Sequence, residues 1–550
     1  MSTPANDALA QPRKKKRLII RAVLGVTLIA AALLMALPHP LHERNFLIDA
    51  GGCHLQTTVY EPAGVTSKEN TAGNVANSSN RGTVLLLHGL AANRKIVSYL
   101  AEGFALQGLR VFVPDLPGHG RTEGPFSAAR SEECSENLLR ELRSRGLAPP
   151  DRTILAGHSM GGAIAIRVAA GVPVAGVIAI SPAPMRAAHG APTDALLFDN
   201  PPPLPPNTEI INGGFEPAQM TANSRDLLQP GRDLNSHYDL IPWATHAGLL
   251  WRPAVVRLEQ NWAAKVLRLG AQNSSQGDRA TSPPTGGPIG YKLPSRLRLA
   301  GCLVGVAGFF LIAGPFLREA TAIKAPRKDE IVPDSGARAV PWWRATLELL
   351  VAGALVAVLL RYWMPLRLVR LFEGDYLAAF LLFSGLLLIA IHWKEFVPIF
   401  NFRSSATLGA VFAAVVLFLL FSAWSELSLT EAWLDATRWQ RFPLLFITLI
   451  PCLIAEEILL GPPRAGGVWQ RVASAMFYRF LLWLALLLGI LLLHSGAILV
   501  VLLAPYFAVL SMAQRRGMDV VREVTRSPAA AALFGAILLT GFCLVIFPLL

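Results

Sequence analysis

The sequence has few cysteines and no recognisable metal or cofactor motif. Its 550 residues include only 5 cysteines, and no pair of them has the spacing of metal ligands. It has no glycine-rich phosphate loop and no dinucleotide fingerprint. We therefore expect neither a metal nor a cofactor. Cys302, Cys452 and Cys543 lie in apolar runs, whereas Cys53 and Cys134 are able to pair in an oxidising compartment.

Charge is scarce as well. Only 16% of the residues are charged and 53% are hydrophobic, with a mean hydropathy of +0.43, which excludes an ordinary soluble protein. The net charge is +13. A basic cluster at residues 13–17 directly precedes an apolar run, so it indicates the cytoplasmic flank of a membrane span rather than a nucleic-acid patch. We expect the lipid bilayer as a partner and no nucleic acid.

Apolar runs long enough to cross a bilayer occur near the N-terminus and throughout the second half of the chain. Residues 18–37 favour a retained anchor over a cleavable signal peptide, because no clear small-x-small cleavage site precedes His39. Eight further spans are predicted at 299–317, 346–364, 377–393, 406–424, 442–460, 477–493, 495–512 and 529–550. The pair that meets near His494 is also compatible with one long tilted helix.

The predicted organisation has five parts. A basic cytoplasmic tail (1–17) and the anchor (18–37) precede a folded domain (46–268). A flexible linker rich in serine, glycine and proline (269–298) then leads to a polytopic membrane domain of about eight helices (299–550).

The most informative stretch of the folded domain is Gly157-His158-Ser159-Met160-Gly161. It lies between an apolar strand-like run and a helix-compatible run, and its glycines allow a strained turn that exposes the serine hydroxyl. Strand-like runs at 83–87, 109–113 and 175–180 alternate with helical segments, one of them predicted at 92–107. This alternation predicts an α/β fold with a mostly parallel sheet and helices on both faces.

Three ordered motifs resemble the α/β-hydrolase superfamily: His88-Gly89, the loop at 115–120 and the serine turn. The resemblance covers residues 46–268 and implies a serine nucleophile, Ser159, followed along the chain by an acid and a histidine. Glu216 follows a strand-like run at 208–212, at a position where the family more often has aspartate.

The resemblance also implies the remaining parts of a serine hydrolase site. His246 follows the last strand-like run and is the expected general base. The backbone amides of Leu90 and Met160 are expected to form the oxyanion hole. Alternative acids are Asp199, Asp226 and Asp233, none of which directly follows a strand.

Substrate specificity in this fold lies largely between the strand after the nucleophile helix and the acid strand. Here only residues 182–207 fill that gap, and their proline-rich end predicts no large helical cap and an open pocket. Arg94 and Lys95 are interpreted either as a solvated helix start or as partners of an anionic substrate group.

A carboxylate pair in the membrane domain, Glu456-Glu457, is similar to the CAAX-protease-like intramembrane family when taken with Arg464 and the run 526–535. That family has a tighter glutamate-to-arginine spacing and histidines on later helices. Here Gly535 stands where such a histidine is expected, and His494 lies at a helix end. These departures favour a paired carboxylate cluster in a non-catalytic bundle.

The sequence therefore predicts a membrane-anchored serine hydrolase that cleaves ester, thioester or related acyl bonds of a small or lipid-like substrate. The alternative is a membrane transport, assembly or sensing module, including a degenerate CAAX-protease-like bundle, whose hydrolase domain only binds ligand. The expected location is the bacterial inner membrane with the hydrolase domain outside the cytoplasm.

Loop charges support this orientation. The loops on the N-terminal side of the membrane carry most of the lysines and arginines, including Arg515, Arg516 and Arg522. The opposite loops carry only Arg367, Arg370, Arg438 and Arg441.

With nine spans and a cytoplasmic N-terminus, the hydrolase domain and the C-terminus are expected on the same, non-cytoplasmic side. Alkaline-phosphatase fusions at Gly277 and after Leu550 should be active, and a fusion near Asp329 should not. An inactive Gly277 fusion would mean that the hydrolase domain lies in the cytoplasm and that the predicted orientation is reversed. Inactivity of the Leu550 fusion alone would mean that the pair near His494 is one helix.

Overall fold

The computed structural model describes residues 4–36, 41–62, 82–182, 203–228, 235–269, 292–322, 339–364, 369–396, 404–428, 430–462, 468–493 and 498–550. The chain divides into two units. One unit, named the hydrolase unit after the sequence resemblance, comprises Pro38–Arg296 with Pro548–Leu550. The other, named the membrane unit after its predicted spans, comprises Met1–Leu37 with Leu297–Phe547. Most of the predicted linker and of the predicted cap segment lies outside the described residues.

The hydrolase unit is built on one eight-stranded sheet with the order β1-β2-β4-β3-β5-β6-β7-β8. The strands β3 to β8 run parallel, while β1 and β2 form an antiparallel hairpin at one edge. The strands are β1 (Leu41–Ala50), β2 (Cys53–Pro62), β3 (Thr83–Leu87), β4 (Arg110–Pro114), β5 (Thr153–His158), β6 (Gly176–Ile180), β7 (Thr208–Gly213) and β8 (His237–Ile241).

The central strands are buried on both faces. Every residue of β3, β5, β6 and β7 is buried, which matches their nearly continuous apolar sequence and is typical of a parallel sheet covered by helices. This confirms the predicted fold class. The covering helices are α2 (Ser98–Leu106), α3 (Ala128–Ser144), α4 (Met160–Gly171), α5 (Ala218–Asp226) and α6 (Pro253–Val266), numbered through both units in chain order.

The helix predicted at 92–107 begins later than expected, at Ser98. The preceding residues form successive turns, in which Ile96 N donates to Asn93 O and Ser98 N donates to Lys95 O. The amide of Arg94 donates instead to the Asp115 carboxylate at 2.8 Å. The Arg94 amide, which would face solvent at the start of a helix, is therefore bonded to a residue distant in sequence.

A disulfide bond joins Cys53 to Cys134 across a sequence separation of 81 residues. It connects the start of β2 to α3, so the edge hairpin is covalently fixed to a helix that covers the sheet. The other three cysteines, all among the described residues, form no disulfide.

The membrane unit is helical in all of its described secondary structure. Its helices are α1 (Pro4–Ala36), α7 (Leu297–Ala322), α8 (Trp342–Tyr362), α9 (Gly374–Ile391), α10 (Trp393–Phe396), α11 (Ser404–Ser428), α12 (Ala436–Leu460), α13 (Val468–Leu493), α14 (Ile498–Thr525) and α15 (Pro528–Ile546). Within the described residues, eight helices are long and apolar enough to cross a membrane. This indicates a multi-pass membrane protein.

The pair of predicted spans near His494 corresponds to α13 and α14, of which α13 is among these eight helices and α14 is not; His494 itself lies outside the described residues. The sequence interpretation placed Arg515, Arg516 and Arg522 in a loop, and this is wrong because α14 continues to Thr525. The side chains of Arg515 and Arg522 are buried in ion pairs, which explains how a charged segment stays helical inside the unit. These arginines therefore add less to the orientation argument than loop charges do.

The disulfide should stabilise the hydrolase unit because it restricts the unfolded chain. We expect the Cys53→Ser/Cys134→Ser variant to lose about 2–5 kcal/mol of unfolding free energy, measured by denaturant unfolding of the full chain in detergent. A reductant should lower the unfolding free energy of the native chain and leave that of the double variant unchanged. Equal sensitivity of the two proteins to reductant would contradict the prediction.

Candidate active site

Ser159 lies at the sharp turn between β5 and α4, with φ 55° and ψ −121°. This left-handed backbone is strained for a residue with a side chain, and Ser159 N holds it by donating to Ile180 O at 2.9 Å. A Cβ added to Gly157 would lie 2.2 Å from Gly161 O, and one added to Gly161 would lie 2.2 Å from Leu87 O. Close backbone contacts therefore require both glycines of the predicted motif.

Glu216 and His246 come together at the same edge of the sheet. Glu216 follows β7 in a tight turn, and His246 follows β8. The Nδ1 atom of His246 lies 2.7 Å from Glu216 Oε1, the geometry of a ring N–H donating to a carboxylate. Of the alternative acids, Asp226 is the last residue of α5, whereas Asp199 and Asp233 lie outside the described residues.

The Glu216 carboxylate is fully buried and held by several donors. Its Oε2 atom accepts hydrogen bonds from Asn212 Nδ2 at 2.6 Å and from Gly213 N at 3.1 Å. Burial raises the pKa of Glu216, but hydrogen bonds from His246, Ser181 and Asn212 more than offset this and lower the pKa to about 2. The charged Glu216 carboxylate consequently stabilises the fold at pH values above the ordinary pKa of glutamate, and this stabilisation is lost as the pH falls towards 2.

Ser181 is the functional neighbour that the sequence interpretation missed. Its hydroxyl donates to Glu216 Oε1, and its oxygen lies 2.8 Å from His246 Nδ1. Ser181 directly follows β6, has a φ of 45° and is completely buried. The available signal was a small polar residue at the end of a buried strand, next to the strand that carries the acid.

His158 supports the loop that carries His246. Its Nε2 atom lies 3.0 Å from the His246 carbonyl oxygen and donates to it, and the two rings are 4.8 Å apart. Burial lowers the pKa of His158 to about 3, so this imidazole stays neutral at ordinary pH. His158 is therefore a packed, neutral side chain.

The two amides expected to form the oxyanion hole lie on either side of the serine turn. Met160 begins α4, and Leu90 follows Gly89, whose added Cβ would lie 3.1 Å from Ser159 Cβ. Neither amide donates a hydrogen bond to another described residue. They are therefore two unpaired backbone donors beside a candidate nucleophile, as an oxyanion hole requires.

Arg94 is a structural residue. Its guanidinium forms an ion pair with Asp115, and both side chains are almost completely buried. Arg94 Nε also donates to Thr58 Oγ1 at 2.9 Å, and Arg121 N donates to Asp115 Oδ2 at 3.0 Å. Arg94 was interpreted from the sequence as a solvated helix start or as a partner of an anionic substrate group, and both interpretations were wrong. Its side chain is buried because the buried Asp115 carboxylate requires a cation beside it.

The hydrolase unit has the fold of the α/β hydrolases. Residues 84–286 match the model of the Alpha/beta hydrolase family. The resemblance drawn from the sequence motifs is thereby confirmed for this part of the chain.

Individual relatives are similar over short regions. Lipase 1 of Psychrobacter immobilis is 36% identical over 102 residues, 18% of this chain and 30% of the lipase. The pimeloyl-[acyl-carrier protein] methyl ester esterase of Aromatoleum aromaticum is 38% identical over 90 residues, 16% of this chain and 32% of the esterase. The chain thus spans about a third of the length of these relatives, and the matches support a hydrolase.

Solved structures of hydrolases are also similar. The monoacylglycerol lipase of Paleococcus ferrophilus has 19% sequence identity and a TM-score of 0.29, over 34% of this chain and 96% of the lipase.

Removal of the Ser181 hydroxyl should weaken the Glu216–His246 pair. We expect Ser181→Ala to lower the unfolding free energy at pH 7 by roughly 1.5–3 kcal/mol, because a hydrogen bond to a buried charge is lost. The measurement is denaturant unfolding. Ser224→Ala is the matched control, since Ser224 is equally buried and its hydroxyl has no partner among the described residues. Equal losses in the two variants would refute a special role for Ser181.

Proposed function

We propose that this protein is a membrane-anchored serine hydrolase that cleaves ester, thioester or related acyl bonds through an acyl-enzyme. The observation that carries the proposal is the buried Glu216–His246 pair at the sheet edge where Ser159 occupies a strained turn. The carboxyl ends of the parallel strands β5, β7 and β8 meet at this edge, so residues distant in sequence share one site.

In the proposed mechanism, His246 acts as the base for Ser159. The imidazole takes the Ser159 proton as Oγ attacks the acyl carbonyl, and it then gives that proton to the leaving alcohol, thiol or amine as the acyl bond breaks. Water, activated by the same imidazole, hydrolyses the acyl-serine. Glu216 stabilises the imidazolium because its low pKa keeps it charged.

The amides of Leu90 and Met160 are proposed to stabilise the oxyanion. One such donor is typically worth about 3 kcal/mol of transition-state stabilisation. The two amides need no reorganisation for this role, because neither donates to another described residue.

An acyl ester near a membrane is the substrate class that the chain supports best. The relatives of similar sequence include proteins named lipases and an esterase. The described part of the same chain carries eight apolar helices long enough to cross a membrane, which would keep the hydrolase close to lipid-like substrates. A serine nucleophile also favours acyl transfer over the aspartate-dependent chemistries of this fold.

We also propose that the hydrolase unit lies outside the cytoplasm, in the periplasm of a bacterial cell. The Cys53–Cys134 disulfide supports this, because disulfides persist in oxidising compartments and are rare in the cytoplasm. The basic cluster before the first span supports the same orientation.

The test of the nucleophile is Ser159→Ala. This variant should lose fluorophosphonate labelling and hydrolysis of a panel of acyl esters and thioesters, while its unfolding transition stays close to that of the native chain. The fold should persist because the change removes one hydroxyl and little packing volume. Undiminished labelling of the alanine variant would overturn the proposal.

Two further variants distinguish a working unit from independent contributions. Glu216→Ala and His246→Ala should each remove most turnover, and the double variant should lose little more than the worse single one. Asp226→Ala serves as the control for the acid. Near-full turnover of Glu216→Ala would move the acid elsewhere, and Asp199 would be tested next.

A further inference from the structure

The turn that carries the expected oxyanion donor Leu90 has a strained backbone. Ala92 N donates to Gly89 O at 3.2 Å, which closes a four-residue turn, named here the oxyanion turn (residues 89–92). Ala91, its third residue, has a φ of 57°. A positive φ at this position of a turn usually requires glycine, because a side chain makes the left-handed conformation unfavourable. Contacts from outside the turn therefore have to offset this strain.

A buried histidine makes such a contact. Ala91 N donates to Nε2 of His119 at 3.2 Å, and His119 is only 2% exposed. The other ring nitrogen, Nδ1, lies 3.0 Å from Pro117 O, so Nδ1 carries the proton and donates it. A neutral ring with its proton on Nδ1 satisfies both contacts. The acceptor at Nε2 therefore binds the amide of the strained residue in the oxyanion turn.

His88, which directly precedes the oxyanion turn, makes the reciprocal contact. Its Nε2 atom accepts a hydrogen bond from Leu116 N at 2.9 Å, and its Nδ1 atom donates to Gly89 O at 2.8 Å. The His88 ring is completely buried, and this burial lowers its pKa, so the ring is neutral at pH 7. Each histidine thus accepts a backbone amide from the segment that carries the other one.

The two imidazoles also pack against each other. The ring centroids of His88 and His119 are 5.1 Å apart, and the ring of Phe126 lies 5.1 Å from that of His119 in an edge-to-face arrangement. Buried side chains that are packed in this way occupy one defined position. The hydrogen bond from Ala91 to His119 consequently has a fixed geometry.

The nucleophile turn lies directly against the oxyanion turn. A Cβ added to Gly89 would lie 3.1 Å from Ser159 Cβ and 3.3 Å from His158 O. Leu90 N, the next amide, donates to no other described residue. An oxyanion donor has to lie about 2.7–3.1 Å from the developing charge, so a small displacement of the turn weakens its contact. The position of Leu90 N is thus sensitive to the contact that His119 makes.

We propose that His119 is a positioning residue for the hydrolytic reaction. By accepting a hydrogen bond from Ala91 N through Nε2, it holds the oxyanion turn in the conformation that directs Leu90 N towards the acyl oxygen. His119 acts through Ala91 and takes no part in proton transfer. This inference rests on the proposed function, because an oxyanion forms only if Ser159 attacks an acyl carbonyl.

The first test removes the acceptor and keeps an aromatic ring. His119→Phe in the full chain, purified in detergent, should retain packing against Phe126 and lose the hydrogen bond from Ala91 N. We expect kcat for an acyl ester to fall about tenfold with KM nearly unchanged, because only the stabilisation of the transition state is weakened. An unchanged kcat of the folded variant would overturn the proposal.

Two amide substitutions separate the roles of the two ring nitrogens. The Oε1 atom of a glutamine reaches the position of Nε2 and supplies an acceptor, whereas the amide of an asparagine reaches only the position of Nδ1. His119→Gln should therefore keep most of the native kcat, and His119→Asn should lose as much as His119→Phe. Equal kcat values of His119→Gln and His119→Asn would contradict the proposal. If His119→Phe does not fold, His119→Asn takes its place.

A trifluoromethyl ketone measures the oxyanion site itself. Ser159 Oγ forms a bond to the ketone carbon, the serine proton passes to His246, and the carbonyl oxygen becomes an oxyanion. The affinity of His119→Phe for this inhibitor should fall by about the same factor as kcat, about tenfold. A native affinity combined with a reduced kcat would show that the loss arises elsewhere and would refute the positioning role.

The proposed function is tested separately, with the native chain and Ser159→Ala. Absence of Ser159-dependent hydrolysis in the native chain would refute the proposed function and this inference with it. Native hydrolysis that His119→Phe and His119→Asn retain in full would refute the positioning role of His119 alone.

Discussion

The arrangement of the candidate site depends on one buried carboxylate. Glu216 accepts hydrogen bonds from His246, Ser181, Asn212 and Gly213, so four separate donors fix a single charge. These donors come from the residue that follows β6, from the end of β7 and from the loop after β8. The cost of burying the charge is therefore offset only when the sheet is assembled in the correct register. The same hydrogen bonds orient His246 and hold the carboxyl ends of β6, β7 and β8 in alignment.

The membrane unit also buries carboxylates, and it offsets their charge with arginines. Glu456, Glu457 and Asp519 are each contacted by more than one arginine, and α12, α13 and α14 all contribute to the network. Such networks contribute little net stability but strongly disfavour other helix packings, because a mismatched arrangement leaves a bare charge in an apolar medium. The residues of this ion-pair network thus also specify the packing of the bundle.

The sequence predicted those features that depend on local patterns. Apolar runs separated by turns indicated the strands and their parallel order, and the glycines around Ser159 indicated the sharp turn. The order of serine, glutamate and histidine along the chain predicted three site residues. Two of them, Glu216 and His246, are in contact in the structure, and the catalytic roles of all three stay predictions. Ser181, the Arg94–Asp115 pair and the continuation of α14 were missed, because each depends on a partner distant in sequence. The local pattern around a buried ion pair looks the same as that of a solvated loop.

The position of β8 has a consequence for how the protein loses its organisation. This strand is the outermost of the parallel strands, and none of its residues is fully buried, unlike those of β5. Local opening is easiest where a strand has one neighbour and few buried contacts. The loop that carries His246 follows this strand, whereas Ser159 follows a central one. We therefore expect local opening at this edge to uncouple the imidazole before the nucleophile turn unfolds.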